Sequence, residues 1–369
     1  MPRRDATSAA VAGPDSSRLR ATRSEASPGN FTTLLLRKSR SVQIGPGYSG
    51  EAMRVNGRSL PWVRRVYVAN LIAQAGIIVT GAIVRITGSG LGCPTWPECV
   101  EGSYIPTATQ AESWHKYVEF GNRLLTFVLA ALAIAAVVAA IVDARKRRSS
   151  GLPPRPLLLL LAVLPLVGTI VQTILGGITV LTGLHPTTVA AHFLVSIALV
   201  AACVALVVRS GEPGDRPLVW TAPRPVVLLT YAVILVGLVV IILGVIVTGS
   251  GPHSGDAETE ARFSFDPRTV SWLHADAVLL FLGLLIGLLV ATFLIANLGQ
   301  LRRRAAILAG ISVAQGVVGY TQYFTGLPEV LVAIHVFGAV AMWVALLFLA
   351  PALRTRGLSP AEERIHAYQ

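Results

Sequence analysis

A chain of 369 residues that is 53% hydrophobic and only 14% charged has more apolar surface than one soluble core can bury, which excludes an ordinary water-soluble enzyme. The formal net charge of +12 is not a nucleic-acid signature. The basic residues gather in the N-terminal arm and in short links between apolar runs, as the positive-inside rule predicts. Three cysteines exclude a disulfide-rich framework, and no CxxC pair offers a zinc site.

Residues 1–65 hold many Arg and few acids among scattered Pro, Gly and Ser, which predicts a disordered cytoplasmic arm. Residues 1–30 lack the apolar core of a cleavable signal peptide. The apolar stretch 31–36 is too short to span a bilayer, and Met53 is a second candidate start. Eight apolar runs follow at about 66–86, 114–142, 157–180, 187–208, 226–247, 270–298, 305–324 and 329–353, each long enough to cross as a helix. The expected fold class is therefore an all-α polytopic membrane protein. Arg-rich stretches at 145–148, 209–224, 302–304 and 354–356 alternate with loops 87–113, 181–186, 248–269 and 325–328, which are poor in Lys and Arg. That alternation puts both termini in the cytoplasm and the loop of Cys93 and Cys99 on the outer, oxidising side of the membrane.

The chain repeats itself. Ile86-Thr87-Gly88-Ser89-Gly90 recurs as Val247-Thr248-Gly249-Ser250-Gly251. Thr182-Gly183-Leu184 followed by His192 recurs as Thr325-Gly326-Leu327 followed by His335, at equal spacing. Glu119-Phe120-Gly121-Asn122 aligns with Ser271-Trp272-Leu273-His274. Landmarks in the same order predict two four-helix halves of like topology, with a pseudo-symmetry axis near the membrane normal. The expected divisions are an N-terminal half at 66–210, a cytoplasmic linker at 211–225, a C-terminal half at 226–353 and a cytoplasmic tail at 354–369.

Seven histidines occur. His366 in the tail and His253 in an outer loop carry no expectation of chemistry. His192, His274 and His335 each stand a turn or two inside an even-numbered helix. A single one reads as a satisfied bundle residue; repeat-related placement at matched depth reads as iron ligation between facing helices. The first half carries His192 but has Asn122 where the second has His274. One half can thus hold a haem by two histidines, and the other has one axial histidine and an open face. Glu119 lies in the second run on one helical face with His115 and Asn122. A carboxylate there costs several kcal/mol unless it meets protein, water or a partner. It reads either as a catalytic group or as an i,i+4 ion pair with Arg123 that ties helices together. Arg85 and Arg123 match haem propionates, and snorkelling is the plainer use of Arg85. Cys93 and Cys99 favour a short disulfide loop, either structural or reversibly redox-active. Cys203, alone in an apolar helix, reads as packing.

Taken together, the stretch Arg85–Pro97, the stretch Glu119–Arg123, and His192, His274 and His335 resemble the haem A synthase family over about 285 residues, from the first run to the eighth. The resemblance implies an eight-helix membrane enzyme that oxidises the C8 methyl of haem O to a formyl group, giving haem A for terminal oxidases. It implies a haem b held by His274 and His335, and the substrate haem O near Glu119 and His192. The family pattern in the second helix is Glu, two residues, then His and Arg; here the His position is Asn122. His115, about two turns away, cannot replace it at the same depth, and His185, near the outer surface, is another candidate. The partners implied are the haem O synthase that supplies substrate, an electron acceptor and membrane lipid, with no nucleic acid; a homo-oligomer is one open assembly state. Two readings compete with the enzyme. One is a di-haem electron-transfer protein of quinone-linked type, which needs bis-His ligation in both halves. The other is a transporter or structural subunit, which leaves the matched histidines unexplained.

Overall fold

The computed structural model describes residues 58–212, 218–253, 255 and 261–357. The expectations placed on the arm before residue 58, on Met53, on His366 and on the tail beyond 357 lie outside the described residues. The elements run α1 (Pro61–Ile86), α2 (His115–Ser149), α3 (Pro156–Leu181), α4 (Pro186–Gly211), β1 (Leu218–Trp220), α5 (Arg224–Ser250), α6 (Pro267–Leu294), α7 (Gly299–Phe324), α8 (Glu329–Leu347), a 3-10 turn (Ala350–Leu353) and β2 (Arg354–Arg356). Among the described residues eight helices are long and apolar enough to cross a membrane. Proline stands in the first turn of α1, α3, α4, α5 and α6, where its missing N–H leaves no bond unmade.

The helices differ from the apolar runs mostly at their basic ends. α2 continues through Arg145–Arg148, and α7 starts early enough to include Arg302–Arg304. Apolarity marks the bilayer, not the helix: most of the basic side chains reach outward while their backbone stays helical, and Arg147 turns in to donate to the Pro153 carbonyl. At the end of α2 they also face the negative pole of the helix dipole. α6 stops at Leu294, short of its apolar run, where Asn297 turns the chain with φ 64°. α8 stops at Leu347 because Pro351 cannot continue an α-helical ladder, and a 3-10 turn completes the span. Between the linker and the start of the tail β1 pairs antiparallel with β2, Val219 opposite Thr355. Glu212 pins that end through ion pairs to Arg209 and Arg356, both at 2.8 Å.

α1 to α4 form one closed ring of neighbours and α5 to α8 a second, and the halves meet along α1, α4, α5 and α8. Burial repeats between them. Val63, Tyr67, Asn70, Gln74 and Ile78 of α1 are buried, as are Val226, Thr230, Val233, Gly237 and Ile241 of α5, at identical spacing. The same holds for Leu129, Ala133, Ala136 and Ala140 of α2 against Phe281, Leu285, Leu288 and Thr292 of α6. In α3 and α7, Leu158, Ala162 and Thr169 correspond to Leu301, Ala305 and Ser312. In α4 and α8, Ile197, Val200 and Cys203 correspond to Val340, Trp343 and Leu346. Both Thr-Gly-Leu turns carry consecutive left-handed residues, Gly183 with Leu184 and Gly326 with Leu327. The Thr-Gly-Ser-Gly repeat is different. By the buried register Gly81, not Ile83, is the mate of Gly244, so the two copies stand two residues out of step. In the first half the motif leaves the helix as a turn, whereas in the second Thr248, Gly249 and Ser250 end α5.

Candidate functional site

His192, His274 and His335 sit early in α4, α6 and α8, on helices diagonal within their rings. Each ring backs onto a glycine of the preceding helix. A Cβ on Gly176 would lie 3.5 Å from Cε1 of His192; on Gly244 and Gly319 it would lie 3.4 Å from Cε1 of His274 and His335. In all three the Nδ1 atom is buried with no hydrogen-bond partner. At His274 and His335 that nitrogen lies on the glycine side, 3.8 Å from the Cβ position of Gly244 and Gly319, which leaves Nε2 as the nitrogen open to a ligand. Among the described residues no group of three or more His, Cys, Asp or Glu side chains gathers as a multidentate metal site. Two neutral imidazoles from opposed helices fit a haem iron; a zinc ion would need more.

The fourth position of the pattern is altered. Asn122 of α2 takes the place of His274, and its Oδ1 accepts a hydrogen bond from Thr80 Oγ1 of α1 at 2.7 Å. The neighbouring Gly81 has nothing within 4 Å of where its Cβ would be.

The first turns of α2 hold the outer loop 87–113. Glu119 is 5% exposed. Its Oε2 accepts from the Cys93 N–H at 2.7 Å, and its Oε1 receives Arg123 Nη2 at 2.6 Å. Arg123 further donates to the carbonyls of Cys93 (2.6 Å), Thr95 (3.1 Å) and Glu98 (3.2 Å). His115 shares a 2.8 Å bond with Ser89, and Lys116 donates to Thr107 and Gln110. Cys93 and Cys99 form a disulfide, fully buried in this clamp. Trp96 lies over Gly177 of α3, whose missing side chain makes the contact possible: a Cβ would come within 2.4 Å of the indole. Glu119, Arg123, Cys93 and Cys99 are thus brought together, while Asn122 belongs to a separate contact with α1.

Arg85 reaches the other half. It donates to the carbonyls of His253 (2.9 Å) and Thr248 (3.1 Å), and His253 Nε2 meets the carbonyl of Leu327 at 3.0 Å. The Gly90 N–H donates to Gly255 at 2.8 Å. His253 therefore receives Arg85 of α1 on its carbonyl and bonds the second Thr-Gly-Leu turn with its ring, a role its sequence position did not suggest. Cys203 is buried packing as expected, with Asn70 donating to its sulfur at 3.5 Å.

Sequence reasoning missed the glycines behind the histidines, Thr80, and a matched pair of glutamines. Gln172 donates to the backbone carbonyl of His192 at 3.0 Å and to Ser196. Its mate Gln315 lies against Gly338. A signal existed: Gly176 and Gly319 stand at equal distance before the two Thr-Gly-Leu turns, in helix interiors where glycine is costly.

Several bacterial proteins named heme A synthase are similar to this chain. The match to that of Geobacillus kaustophilus is 27% identical and covers 32% of this chain and 34% of the relative. For Alkalihalophilus pseudofirmus the identity is 28%, over 41% of this chain and 48% of the relative. For Listeria welshimeri it is 29%, over 38% and 42%. The matched stretch thus spans roughly a third to a half of the length of these relatives. A family-wide comparison reaches further, over residues 64–347, which takes in all eight helices apart from the first three residues of α1. With its eight membrane-length helices and matched imidazoles, this integral membrane chain belongs to the cytochrome oxidase assembly protein family.

Proposed function

We propose that this protein is a haem A synthase, a membrane oxidoreductase that converts the C8 methyl of haem O to a formyl group by successive hydroxylation. The observation that carries the reading is the trio of half-buried, repeat-matched imidazoles, each seated on a glycine of the preceding helix. In the C-terminal half His274 and His335 would hold a resident haem b; when bound, that group supplies one-electron chemistry. In the N-terminal half His192 would be the histidine ligand of the substrate, haem O. Gln172 bonds the backbone carbonyl of His192, tying α3 to α4 at the level of that ring.

Glu119 is the buried carboxylate on the same helix as Asn122, one turn toward the outer loop. Its role is to take a proton from the oxygen nucleophile that adds to the methyl carbon, or to stabilise positive charge developing there. Arg123 holds the carboxylate in place, and backbone carbonyls fix both Arg123 and Arg85 at the outer end, where haem propionates would find positive charge. The basic ends of the bundle favour a cell-membrane orientation with both termini cytoplasmic. The haem O synthase would supply the substrate, and an electron acceptor would take the electrons released.

The test is expression in membranes that contain haem O but no other haem A source, then extraction and mass analysis of the haems. Haem A is expected with the unaltered chain and absent with His192→Ala. Haem O alone in both would overturn the assignment. The di-haem electron-transfer reading needs a second bis-His pair, and Asn122 opposes it.

A further inference from the structure

Four positions of the repeat place a glycine on one helix behind a side chain on the next. Gly176, Gly244 and Gly319 back onto His192, His274 and His335. Gly81 is the fourth, matched to Gly244 by the buried register of α1 and α5. The position facing it, matched to His274, holds Asn122. The ring contact of 3.4–3.5 Å found at the other three glycines is missing at Gly81, where the nearest neighbours lie beyond 4 Å. The first half thus keeps the floor of an imidazole site under a side chain two heavy atoms smaller than histidine.

Asn122 is also tied down. Thr80 donates to its Oδ1 at 2.7 Å, and the matched position in α5 is Leu243, which cannot form such a bond. The bond uses the amide oxygen and leaves the amide N–H groups as donors. A carboxamide held in this way is a poor iron ligand and a good hydrogen-bond partner. An iron with two imidazoles has no position for a reactant, and an iron with one has a position free.

We propose that Gly81, Thr80 and Asn122 form a seat for an exchangeable sixth ligand, a small neutral donor such as water, on the haem whose fifth ligand is His192. The proposal rests on the haem assignment made for His192 above. Asn122 hydrogen-bonds the ligand, Thr80 holds Asn122 away from the iron, and Gly81 leaves the room. The two halves then differ in use for a local reason: the second is closed at both axial positions and the first is open at one.

Free imidazole is the probe, added to the full-length, detergent-extracted protein carrying haem in both halves. The haem b of the second half stays low-spin throughout and reports on folding. In the unaltered protein, imidazole should convert a high-spin ferric signal in absorption and electron paramagnetic resonance to low-spin, with saturation. Asn122→His should be low-spin before any imidazole is added and should not respond to it, because the ring finds its glycine seat intact. Gly81→Val should weaken imidazole binding on the order of tenfold or more by overfilling the seat, with haem b unchanged. An Asn122→His protein that stays high-spin, or a Gly81→Val protein with unaltered imidazole affinity, overturns the proposal. A His192→Ala protein that keeps the imidazole response overturns the underlying haem assignment instead. If Gly81→Val cannot be purified, Gly81→Ala, which adds one methyl group, gives the same reading at smaller amplitude.

Discussion

At the scale of single residues, histidines of the same kind are used for different ends. His115 bonds Ser89, and His253 bonds a backbone carbonyl. His192, His274 and His335 have a buried Nδ1 with no partner. Replacing His274 or His335 by Ala should remove haem b from the purified protein, seen as loss of its low-spin spectrum; retention in both variants would sink the ligand assignment. Glu119 is a harder case, because its two oxygens already serve Arg123 and the Cys93 amide. Glutamine in its place keeps an acceptor for the amide and loses the charge. Glu119→Gln should therefore retain haem b and the fold, while haem A formation drops on the order of a hundredfold or more and haem O or a hydroxylated intermediate accumulates. Low yield with lost haem b would assign the carboxylate to the clamp alone, and normal haem A output would exclude it from the chemistry.

At the scale of elements, the outer loop is held by α2 rather than by its own secondary structure. Its backbone carbonyls and amides are satisfied by Glu119, Lys116 and Arg123. Protein isolated without reductant should show Cys93 and Cys99 closed to alkylation until reduced; two thiols reacting at once would contradict the disulfide. Losing the cross-link by Cys93→Ser with Cys99→Ser should cost about 2 kcal/mol, as expected for a short closed loop, read as a lower midpoint of thermal haem release. α6 opens with a cap of its own: Asp266 accepts from the Thr269 N–H at 2.9 Å and from its hydroxyl at 2.6 Å. These bonds favour the ionised form and hold its pKa below the ordinary carboxylate value. A carboxyl depressed in the folded state stabilises above its unfolded pKa, and that contribution is lost as the pH falls through the folded value. The protection factor of the Thr269 amide, with the intrinsic exchange rate divided out, should thus fall only in acid, and Asp266→Asn should remove that acid dependence. A flat profile in the unaltered chain would contradict the cap.

How much of this was legible in the sequence depended on the kind of signal. The eight spans were, because apolar runs of bilayer length have few other uses. The three histidines and the two halves were, because landmarks recur in order. The register of α1 against α5 was not: identical Thr-Gly-Ser-Gly strings suggested one alignment, and burial of Gln74 with Gly237 and of Ile78 with Ile241 fixed another. The clamp around Glu119 was half visible. Its ion pair to Arg123 follows from i,i+4 spacing, but the backbone groups of Cys93, Thr95 and Glu98 leave no trace in side-chain letters. The glycine seats were written in the sequence and went unread, since a glycine behind a ring has meaning only once both helices are placed.

At the scale of the whole molecule, the question is what makes two rings of four helices behave as one. In the core, Trp343 of α8 donates to the carbonyl of Ile197 in α4 at 2.9 Å. At the outer end the tie is Arg85, which donates to Thr248 and His253 across the boundary, while the His253 ring bonds Leu327. Both contacts act on the segment that follows α5, so each should depend on the other. Arg85→Met removes two hydrogen bonds from a charged donor, which costs about 2–3 kcal/mol where the carbonyls are left in a partly buried site. His253→Ala removes one neutral bond, about 1 kcal/mol. With either one gone the segment loosens, and the remaining contact holds less. The double variant should therefore lose less than the sum of the singles, by on the order of 0.5–1 kcal/mol in a double-mutant cycle read from thermal release of haem b. Trp343→Phe lies far from this pair and should add to either single variant without interaction. Strict additivity of Arg85→Met and His253→Ala would mean that the two residues hold different things, and that the outer loops do not join the halves as a unit.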